Sequence, residues 1–193
     1  MTTIAIIGAG RGLGAAVARR FGAAGFAVGL VSRSQAKLDA LAEELAADGV
    51  QARGFAADVR DPVSLARALE QVTETLGPIE FSVYGPVAAV HQVLPGMRFL
   101  GENRGTILFV NGGSAVTPGR GVTGTSVAFA AQAAYAQLLH EVLGEEGIQV
   151  SQLIIPGKIV PGDPEKDPDV LAGLLWDLHS RRDRFRHQVA GTD

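Results

Sequence analysis

Apolar residues along the chain come in short runs that follow two different spacings. Segments such as Thr3-Ile4-Ala5-Ile6-Ile7 are nearly continuous apolar runs, which is typical of strands buried on both faces. Elsewhere apolar residues recur every four positions, as in Leu13, Val17 and Phe21, which predicts a helix with one buried face. The predicted strands are residues 3–7, 26–31, 50–56, 79–83, 106–110 and 148–155. The predicted helices are residues 12–24, 35–48, 62–76, 84–94, 127–143 and 169–183.

Strands therefore alternate with helices along the whole chain. This order predicts an α/β fold, a doubly wound parallel sheet of the Rossmann-like type with helices on both faces. Turn residues support the boundaries: Asp61-Pro62 is typical of a helix start, and Pro95-Gly96 is expected to end the fourth predicted helix. The length of 193 residues suits one domain, residues 1–193.

Composition and charge narrow the classes of function. The chain is 47% hydrophobic and has a net charge of −3, so it can bury a core and has no general attraction for nucleic acid. It has no cysteine, which excludes disulfides and thiolate chemistry. Its apolar runs are shorter than a membrane span needs, and no signal peptide is evident at the first residues. We therefore expect a cytoplasmic protein without membrane association.

A glycine-rich loop joins the first predicted strand to the first predicted helix. It is Gly8-Ala9-Gly10-Arg11-Gly12-Leu13-Gly14, hereafter the glycine loop. Gly8 suits the sharp turn, Gly10 and Gly12 let the backbone approach a pyrophosphate, and Gly14 lets the helix lie close to the strand. The helix start adds free N–H groups and a positive dipole. The pattern predicts dinucleotide binding, whereas a turn without ligand is the less favoured interpretation because glycine is unfavourable at a helix start.

The end of the second strand separates two cofactors. Proteins that bind NAD(H) carry a carboxylate there, which holds the ribose 2′-hydroxyl. This chain has Ser32-Arg33 instead, and Arg11 in the glycine loop is a second candidate cation. A guanidinium beside a hydroxyl suits a 2′-phosphate, so NADP(H) is favoured over NAD(H). The alternative is that both arginines are simply solvated.

Other candidate chemistry is weaker. The histidines His91, His140, His179 and His187 are scattered without metal-ligand spacing, so no metal site is expected. Ser114 lacks the G-x-S-x-G elbow of a hydrolase nucleophile. Its hydroxyl is a candidate donor to a carbonyl substrate, and the alternative is an ordinary serine at the end of a strand. The arginine cluster at residues 181–186 is expected to be a solvated tail or a subunit contact rather than a nucleic-acid site.

These motifs resemble the short-chain dehydrogenase/reductase family. Gly8, Gly12 and Gly14 reproduce its G-x-x-x-G-x-G spacing, and Asp58-Val59 matches its adenine-contacting pair after the third strand. Asn111-Gly112-Gly113-Ser114 resembles the Asn-x-Ser-Ser-like stretch in which the family's fifth strand ends. Pro156-Gly157-Lys158-Ile159 resembles its Pro-Gly-x-Ile/Val segment, which implies nicotinamide contacts by Pro156, Gly157 and Ile159. The resemblance extends from residue 3 to about residue 160.

The family's catalytic Tyr-x-x-x-Lys pair is missing from the long helix after the fifth strand. Counting forward from Ser114 gives Val127 and Ala131, and counting back from Gly147 gives Thr125 and Phe129. No lysine occurs between Lys37 and Lys158. Tyr135 lies on this helix but too far along, and is expected to be a core or interface aromatic residue.

A second departure is a deletion. Relative to the family pattern, a segment of some tens of residues is missing near 83–84, so that the fourth strand is followed almost at once by Tyr84-Gly85-Pro86. The family's catalytic asparagine lies in that segment and has no counterpart here. The segment is either absent from the natural protein or omitted from this sequence.

Two functional hypotheses follow from these observations. The first is an NADP(H)-dependent oxidoreductase acting on a small carbonyl or alcohol, with an atypical active site in which Ser114 is the one assigned catalytic residue. The alternative is a catalytically silent NADP(H)-binding sensor or partner subunit. A purely structural subunit is disfavoured by the glycine loop. The family resemblance and the alanine-rich helix at residues 127–143 further imply a homo-oligomer.

Overall fold

A seven-stranded parallel sheet forms the centre of the computed structural model, which describes residues 2–83, 87–100 and 105–190. The strands are β1 Thr3–Ile7, β2 Ala27–Ser32, β3 Ala52–Ala56, β4 Ile79–Val83, β5 Thr106–Gly112, β6 Gln149–Ile155 and β7 Arg186–Gln188. The helices are α1 Leu13–Gly22, α2 Gln35–Ala47, α3 Pro62–Leu76, α4 Val87–Phe99, α5 Thr123–Gly144 and α6 Pro168–Arg181. The predicted Rossmann-like α/β class is confirmed.

The strand order places the switch point of the sheet beside β1. The order is β3-β2-β1-β4-β5-β6-β7, and every neighbouring pair is parallel. Thr3 of β1 pairs with Ala27 of β2 on one side and with Ile79 of β4 on the other. Connections leave β1 and β4 in opposite directions, so a crevice opens at the carboxyl ends of these strands, where ligands bind in such sheets.

Helices cover both faces because alternate residues of each strand point to opposite sides. Ile4 and Ile6 of β1 pack in one core cluster with apolar residues of α1, α2 and α6. Ala5 and Ile7 pack in a second cluster with residues of α3, α4 and α5. The uniformly apolar strand β1 is therefore explained by burial on both sides.

Several helix ends are where the sequence predicts them. The Asp61 side chain accepts a 3.0 Å hydrogen bond from the Val63 N–H, Pro62 follows at the first helical position, and α3 ends at Gly77. Asp167, which the sequence analysis did not predict as a cap, caps α6 in the same way by accepting from the Asp169 N–H at 2.8 Å. These caps satisfy N–H groups that have no partner within the helix.

Two expectations about helix bounds were wrong. α4 does not end at Pro95-Gly96 but continues to Phe99, with Pro95 inside the helix. Packing of the buried Val90, Val93 and Met97 against the core explains why the helix tolerates the proline. The predicted start of this helix at Tyr84 lies outside the described residues. α5 begins at Thr123, earlier than the expected Val127.

The carboxyl-terminal arginine cluster is not a solvated tail throughout, which corrects the sequence-based expectation. Arg182 donates a 2.8 Å hydrogen bond from Nη2 to the Gly105 carbonyl and is half-buried. Arg186 opens β7, a short strand that the sequence pattern did not predict, and pairs with Gln152 of β6. A three-residue strand carries too few positions for a periodic signal, so only its pairing identifies it.

Within the described ranges, no helix is long and apolar enough to cross a membrane. In the same part of the chain no three His, Asp or Glu side chains come together as a group able to hold a metal ion.

Candidate functional site

The glycine loop is fixed to the end of β2 by its backbone. Gly8 has a φ of +86°, a left-handed conformation that glycine adopts without strain. The turn lets the N–H groups of Gly8 and Ala9 both donate to the Val31 carbonyl, at 2.8 and 3.1 Å. The loop is thereby held over the crevice beside β1.

The other glycines of the loop divide into one that packs and two that face open space. A Cβ on Gly14 would lie 3.1 Å from the Cα of Ala9, so α1 approaches the loop closely only because this residue is glycine. A Cβ on Gly10 or on Gly12 would have no heavy atom within 4 Å. Leu13, the first residue of α1, is buried and anchors the helix start.

The amino end of α1 presents backbone N–H groups to the crevice. Gly12 is its N-cap and, in the described part of the chain, no side chain caps the helix there. The first N–H groups of a helix have no partner within the helix and carry the positive end of its dipole. Together with the open glycines, this helix start suits an anionic ligand.

A cavity of about 540 Å³ opens between the glycine loop and α2. Its walls combine loop backbone, the end of β2 and one face of α2. The lining residues are Ala9, Gly10, Arg11, Ser32, Ala36, Lys37, Ala40 and Leu41. Two of the predicted cofactor residues, Arg11 and Ser32, thus meet around this cavity, and Lys37 adds a cation that the sequence analysis did not single out.

Arg11 crosses the cavity to α2, where its guanidinium forms an ion pair with the carboxylate of Glu44. The Arg11 side chain is 73% exposed and that of Glu44 is 42% exposed. Water screens a pair this exposed, so its two charges separate readily.

Arg33 directly follows β2, and Asp58 and Val59 follow β3; none of the three belongs to the described lining of the cavity. Asp58 follows β3 and accepts hydrogen bonds from the Arg60 guanidinium, the shortest at 2.6 Å. These bonds, with smaller contributions from the Arg60 N–H and the charge of Arg33, lower the pKa of Asp58 to about 2. Val59 is 39% exposed, which leaves an apolar side chain at the rim.

The turns after β5 and β6 meet at the other side of the carboxyl edge. Ser114 is half-buried in a single 3-10 turn, residues 113–115. A Cβ on the neighbouring Gly113 would lie 3.0 Å from the Cα of Pro156, so the two turns touch. Gly157 has a φ of +79°, and Ile159 is 38% exposed.

The loop that follows holds a buried cation. Lys166 has 3% of its surface exposed, and its Nζ lies 3.7 Å from the point where a Cβ on Gly157 would stand. Asp163 shapes the loop by accepting from the N–H groups of Glu165 and Lys166 at 2.9 and 2.8 Å. No periodic or motif signal marked Lys166 in the sequence, because its burial depends on how this loop folds back.

On α5, Phe129 is the residue that covers the end of β5. The nearest atom of its ring is 3.3 Å from the position of a Cβ on Gly112. Val127 is 68% exposed, and Thr125 and Ala131 are exposed as well.

Tyr135 packs edge-on against Phe109, with ring centroids 6.2 Å apart. This is the core position expected for it, and burial raises the pKa of its phenol.

A series of side-chain hydrogen bonds connects α5 to the sheet. The Arg186 Nε donates to the Gln152 Oε1 at 2.8 Å, and the Gln152 Nε2 donates to the Asn111 Oδ1 at 2.7 Å. Asn111 in turn donates to Gln132 of α5. Asn111 and Gln152 are buried, so each amide group is satisfied by its neighbours in the series. The series joins β7, β6, β5 and α5.

Sequence comparison identifies relatives of the amino-terminal part of the chain. Residues 2–84 match the family model of the short chain dehydrogenases. Over 78 residues the chain is 41% identical to an uncharacterized oxidoreductase of Mycobacterium tuberculosis (strain CDC 1551 / Oshkosh). That segment is 40% of this chain and 30% of the relative, so the match spans less than a third of that protein.

Solved structures share the fold over nearly the whole chain. L-sorbose reductase from Gluconobacter frateurii, complexed with NADPH and L-sorbose, superposes with a TM-score of 0.85 at 22% identity over 97% of this chain and 95% of that chain. An NADPH-bound short chain oxidoreductase from Pseudomonas aeruginosa PAO1, described as containing an atypical catalytic center, gives 0.86 at 19% identity over 98% and 95%. At such identities the likeness establishes the fold alone. The sequence match shows that residues 2–84 are similar to the short chain dehydrogenases, and the solved structures show that the chain shares their fold.

Proposed function

We propose that this protein is an NADP(H)-binding oxidoreductase of small carbonyl or alcohol substrates whose proton donor is not the family's Tyr/Lys pair. The observation that carries the proposal is the cavity between the glycine loop and α2, lined by Arg11, Ser32 and Lys37. Its volume of about 540 Å³ lies in the range of small-molecule and cofactor sites.

The residues present fit a dinucleotide. Gly10 and Gly12 leave the space that a pyrophosphate needs beside the backbone, and the uncapped start of α1 supplies N–H donors. When bound, the nicotinamide ring gives or accepts the hydride, while the protein orients it. Pro156, Gly157 and Ile159, after β6, are the proposed contacts on the nicotinamide side.

The preference for NADP(H) over NAD(H) rests on charge. Arg33 directly follows the end of β2, where NAD-binding proteins carry a carboxylate, and Arg11 and Lys37 line the cavity there together with Ser32. Guanidinium groups bind phosphate oxygens in pairs, which gives both strength and orientation. Asp58 lies nearby, but Arg60 holds its carboxylate, which suits an adenine contact rather than a 2′-hydroxyl contact.

Proton transfer is where the site departs from the family. Phe129 fills the place over Gly112 with an apolar ring, and Thr125 carries a hydroxyl of ordinary weak acidity. Tyr135 is bound in the core with a raised pKa, which makes it a poorer acid near neutral pH. Ser114 is left to polarise a substrate carbonyl as a hydrogen-bond donor.

The specific alternative is a catalytically silent NADP(H)-binding sensor or partner subunit. The apolar cover that Phe129 gives to the end of β5 favours it, because an aromatic hydrocarbon ring at that place cannot donate a proton. Whether the protein is an oxidoreductase or a silent binding protein, we propose that it is cytoplasmic and assembles as a homo-oligomer through α5.

The region of Val83 adds a further part of the proposal. We infer that a segment present elsewhere in the family is missing directly after β4. Tyr84, which follows, lies outside the described residues. The full gene sequence across this point tests the inference, and an uninterrupted reading through Val83-Tyr84 would establish a natural deletion.

Calorimetric titration with NADPH and NADH tests the cofactor assignment. We expect tighter binding of NADPH, and Arg33→Ala should remove most of the difference, about 1.5–3 kcal/mol for a charge-assisted contact. Arg67→Ala, an exposed arginine on α3, is the matched control for loss of one positive charge. Equal affinities for NADPH and NADH in the unaltered protein would contradict the NADP(H) preference.

A further inference from the structure

We propose that Lys37 and Glu44 of α2 set the selectivity for the 2′-phosphate, Lys37 by binding it and Glu44 by competing with it for Arg11. The inference rests on the proposed binding of NADP(H) and extends it to residues that no family motif assigned. It treats the ion pair between Arg11 and Glu44 as a contact that the phosphate replaces.

The placement of the two residues on α2 follows from helical spacing. Lys37 and Glu44 are seven residues apart, about two turns, and so lie on one side of the helix. Lys37 is near the amino end of α2 and lines the cavity together with Ser32. Glu44 is further along the helix and is reached by Arg11 from the glycine loop.

Lys37 therefore stands where a phosphate on the adenosine ribose would lie. The end of β2 holds this ribose in dinucleotide-binding sheets, and Ser32 marks that end. The exposed Lys37 ammonium can move on its flexible stem toward the cavity. A ribose hydroxyl, which is uncharged, gains little from such a cation, so Lys37 distinguishes the two dinucleotides.

Glu44 acts in the opposite direction. In the structure its carboxylate holds Arg11, so a ligand that uses Arg11 must first separate an ion pair. The exposure of both side chains keeps the pair weak, and a phosphate with nearly two negative charges attracts the guanidinium more strongly than one carboxylate does. A dinucleotide without the 2′-phosphate leaves the pair intact. Glu44 thus lowers the affinity for NADPH and leaves that for NADH unchanged.

Variants that each replace one charged residue distinguish specific contacts with the 2′-phosphate from a general effect of net charge. The dissociation constants of NADPH, NADH and adenosine 2′,5′-bisphosphate are measured by calorimetry at fixed salt. Glu44→Gln should tighten NADPH and the bisphosphate roughly two- to fivefold, which is the range for exposed ion pairs, with NADH unaltered. Lys37→Gln should weaken the two phosphate-bearing ligands about tenfold, with NADH again unaltered.

Two matched controls carry the same changes of net charge. Glu43→Gln alters the neighbouring exposed carboxylate, and Arg67→Gln removes an exposed cation on α3. In the Arg11→Gln background, Glu44→Gln should have no further effect, because the two residues act on one contact.

Three results would overturn the proposal. They are equal effects of Glu44→Gln and Glu43→Gln, additive effects of Arg11→Gln and Glu44→Gln, and equal weakening of NADPH and NADH by Lys37→Gln. These results leave the proposed function intact if the unaltered protein prefers NADPH and Arg33→Ala removes that preference. In that case only the inference about Lys37 and Glu44 fails. If the unaltered protein binds neither dinucleotide, both fail.

Discussion

The carboxyl edge of the sheet is built differently on its two sides. Beside β1 and β2 the surface offered to a pyrophosphate is the backbone of the glycine loop, with the turn at Gly8 and the open Gly10 and Gly12. Beside β5 and β6 the surface consists of side chains, with Ser114 next to an α5 that presents Phe129. Backbone donors need only glycines at the right places, whereas proton transfer needs a particular side chain at a particular atom. One side of this edge can therefore keep its binding chemistry while the other changes its reaction.

The largest expected effect lies on the β5–β6 side. NADPH oxidation with a panel of ketones, aldehydes and quinones should be very slow if the protein is the proposed oxidoreductase and absent if it is the silent alternative. General acid–base assistance contributes about 10²- to 10⁴-fold, and neither Thr125 nor Phe129 can supply it. The measurement is the absorbance of NADPH over time at saturating cofactor.

A turnover of about 10 s⁻¹, typical of an ordinary enzyme, would contradict this expectation. Ser114→Ala then identifies whether the serine is involved, because loss of a donor to the reacting carbonyl lowers kcat without altering NADPH affinity. A variant at Ser126, which is buried and bonds to the Val122 carbonyl, serves as the control for a hydroxyl that only supports structure.

The next effect separates the two kinds of glycine on the β1–β2 side. Gly10→Ala places a Cβ in open space, so stability should change by less than about 0.5 kcal/mol while NADPH affinity falls at least about tenfold. Gly14→Val forces side-chain atoms onto the Ala9 backbone and should cost about 1–3 kcal/mol of stability. Urea unfolding and calorimetry measure the two quantities. Unchanged NADPH affinity in Gly10→Ala would show that the backbone surface is not the binding site.

A third effect concerns the aromatic cluster around His179, which packs α6 against α1. His179 of α6 packs among Phe21, Phe26 and Trp176, and burial lowers its pKa from 6.5 to about 4. The unfolded chain therefore binds a proton between these values that the folded chain does not. Stability is full above pH 6.5 and falls as the pH is lowered toward 4, by about 1–2 kcal/mol because solvent screens the partly exposed ring.

Urea unfolding at pH 7 and pH 5 measures this loss. His179→Gln should reduce the difference between the two pH values, and the exposed His91→Gln should leave it unaltered. An equal pH dependence in His179→Gln and the unaltered protein would show that other groups carry it.

The smallest effect tests the outer surface of α5. Val127, Leu138 and Val142 are 68%, 61% and 62% exposed, which gives the helix an apolar outer face. Leu138→Glu should convert an oligomer to monomer in light scattering at micromolar concentration, with NADPH affinity unchanged. Val63→Glu places the same charge on the 59%-exposed Val63 of α3 as a control. If the unaltered protein is a monomer, the proposal that α5 forms an oligomer interface is wrong.

Features built from local backbone signals were predicted from the sequence, whereas contacts between distant side chains were not. The fold class and the turn at Gly8 followed from local signals, namely apolar runs and glycine spacing. The ion pair between Arg11 and Glu44 joins residues far apart in the chain, and nothing local to either residue indicates the other. Lys37 was detectable in principle, since it lies four residues after Arg33, in the first turn of α2.

Two further features had no local signal at all. β7 has three residues and is defined by its pairing with β6. The burial of Lys166 depends on a loop held by Asp163, so it follows from tertiary structure rather than from the neighbouring sequence. The sequence therefore predicted more of the glycine-loop side of the carboxyl edge than of the side beside β5 and β6.

The central place of β1 has a consequence for synthesis on the ribosome. β1 lies between β2 and β4, and its partner on one side starts at Ile79, which is translated long after Thr3. Until Ile79–Val83 leaves the exit tunnel, the nascent chain carries an apolar strand with one unpaired edge, which is prone to pair with other chains. Closing so long a loop is also slow. A translational pause after β3 would therefore prolong the need for chaperone protection of β1.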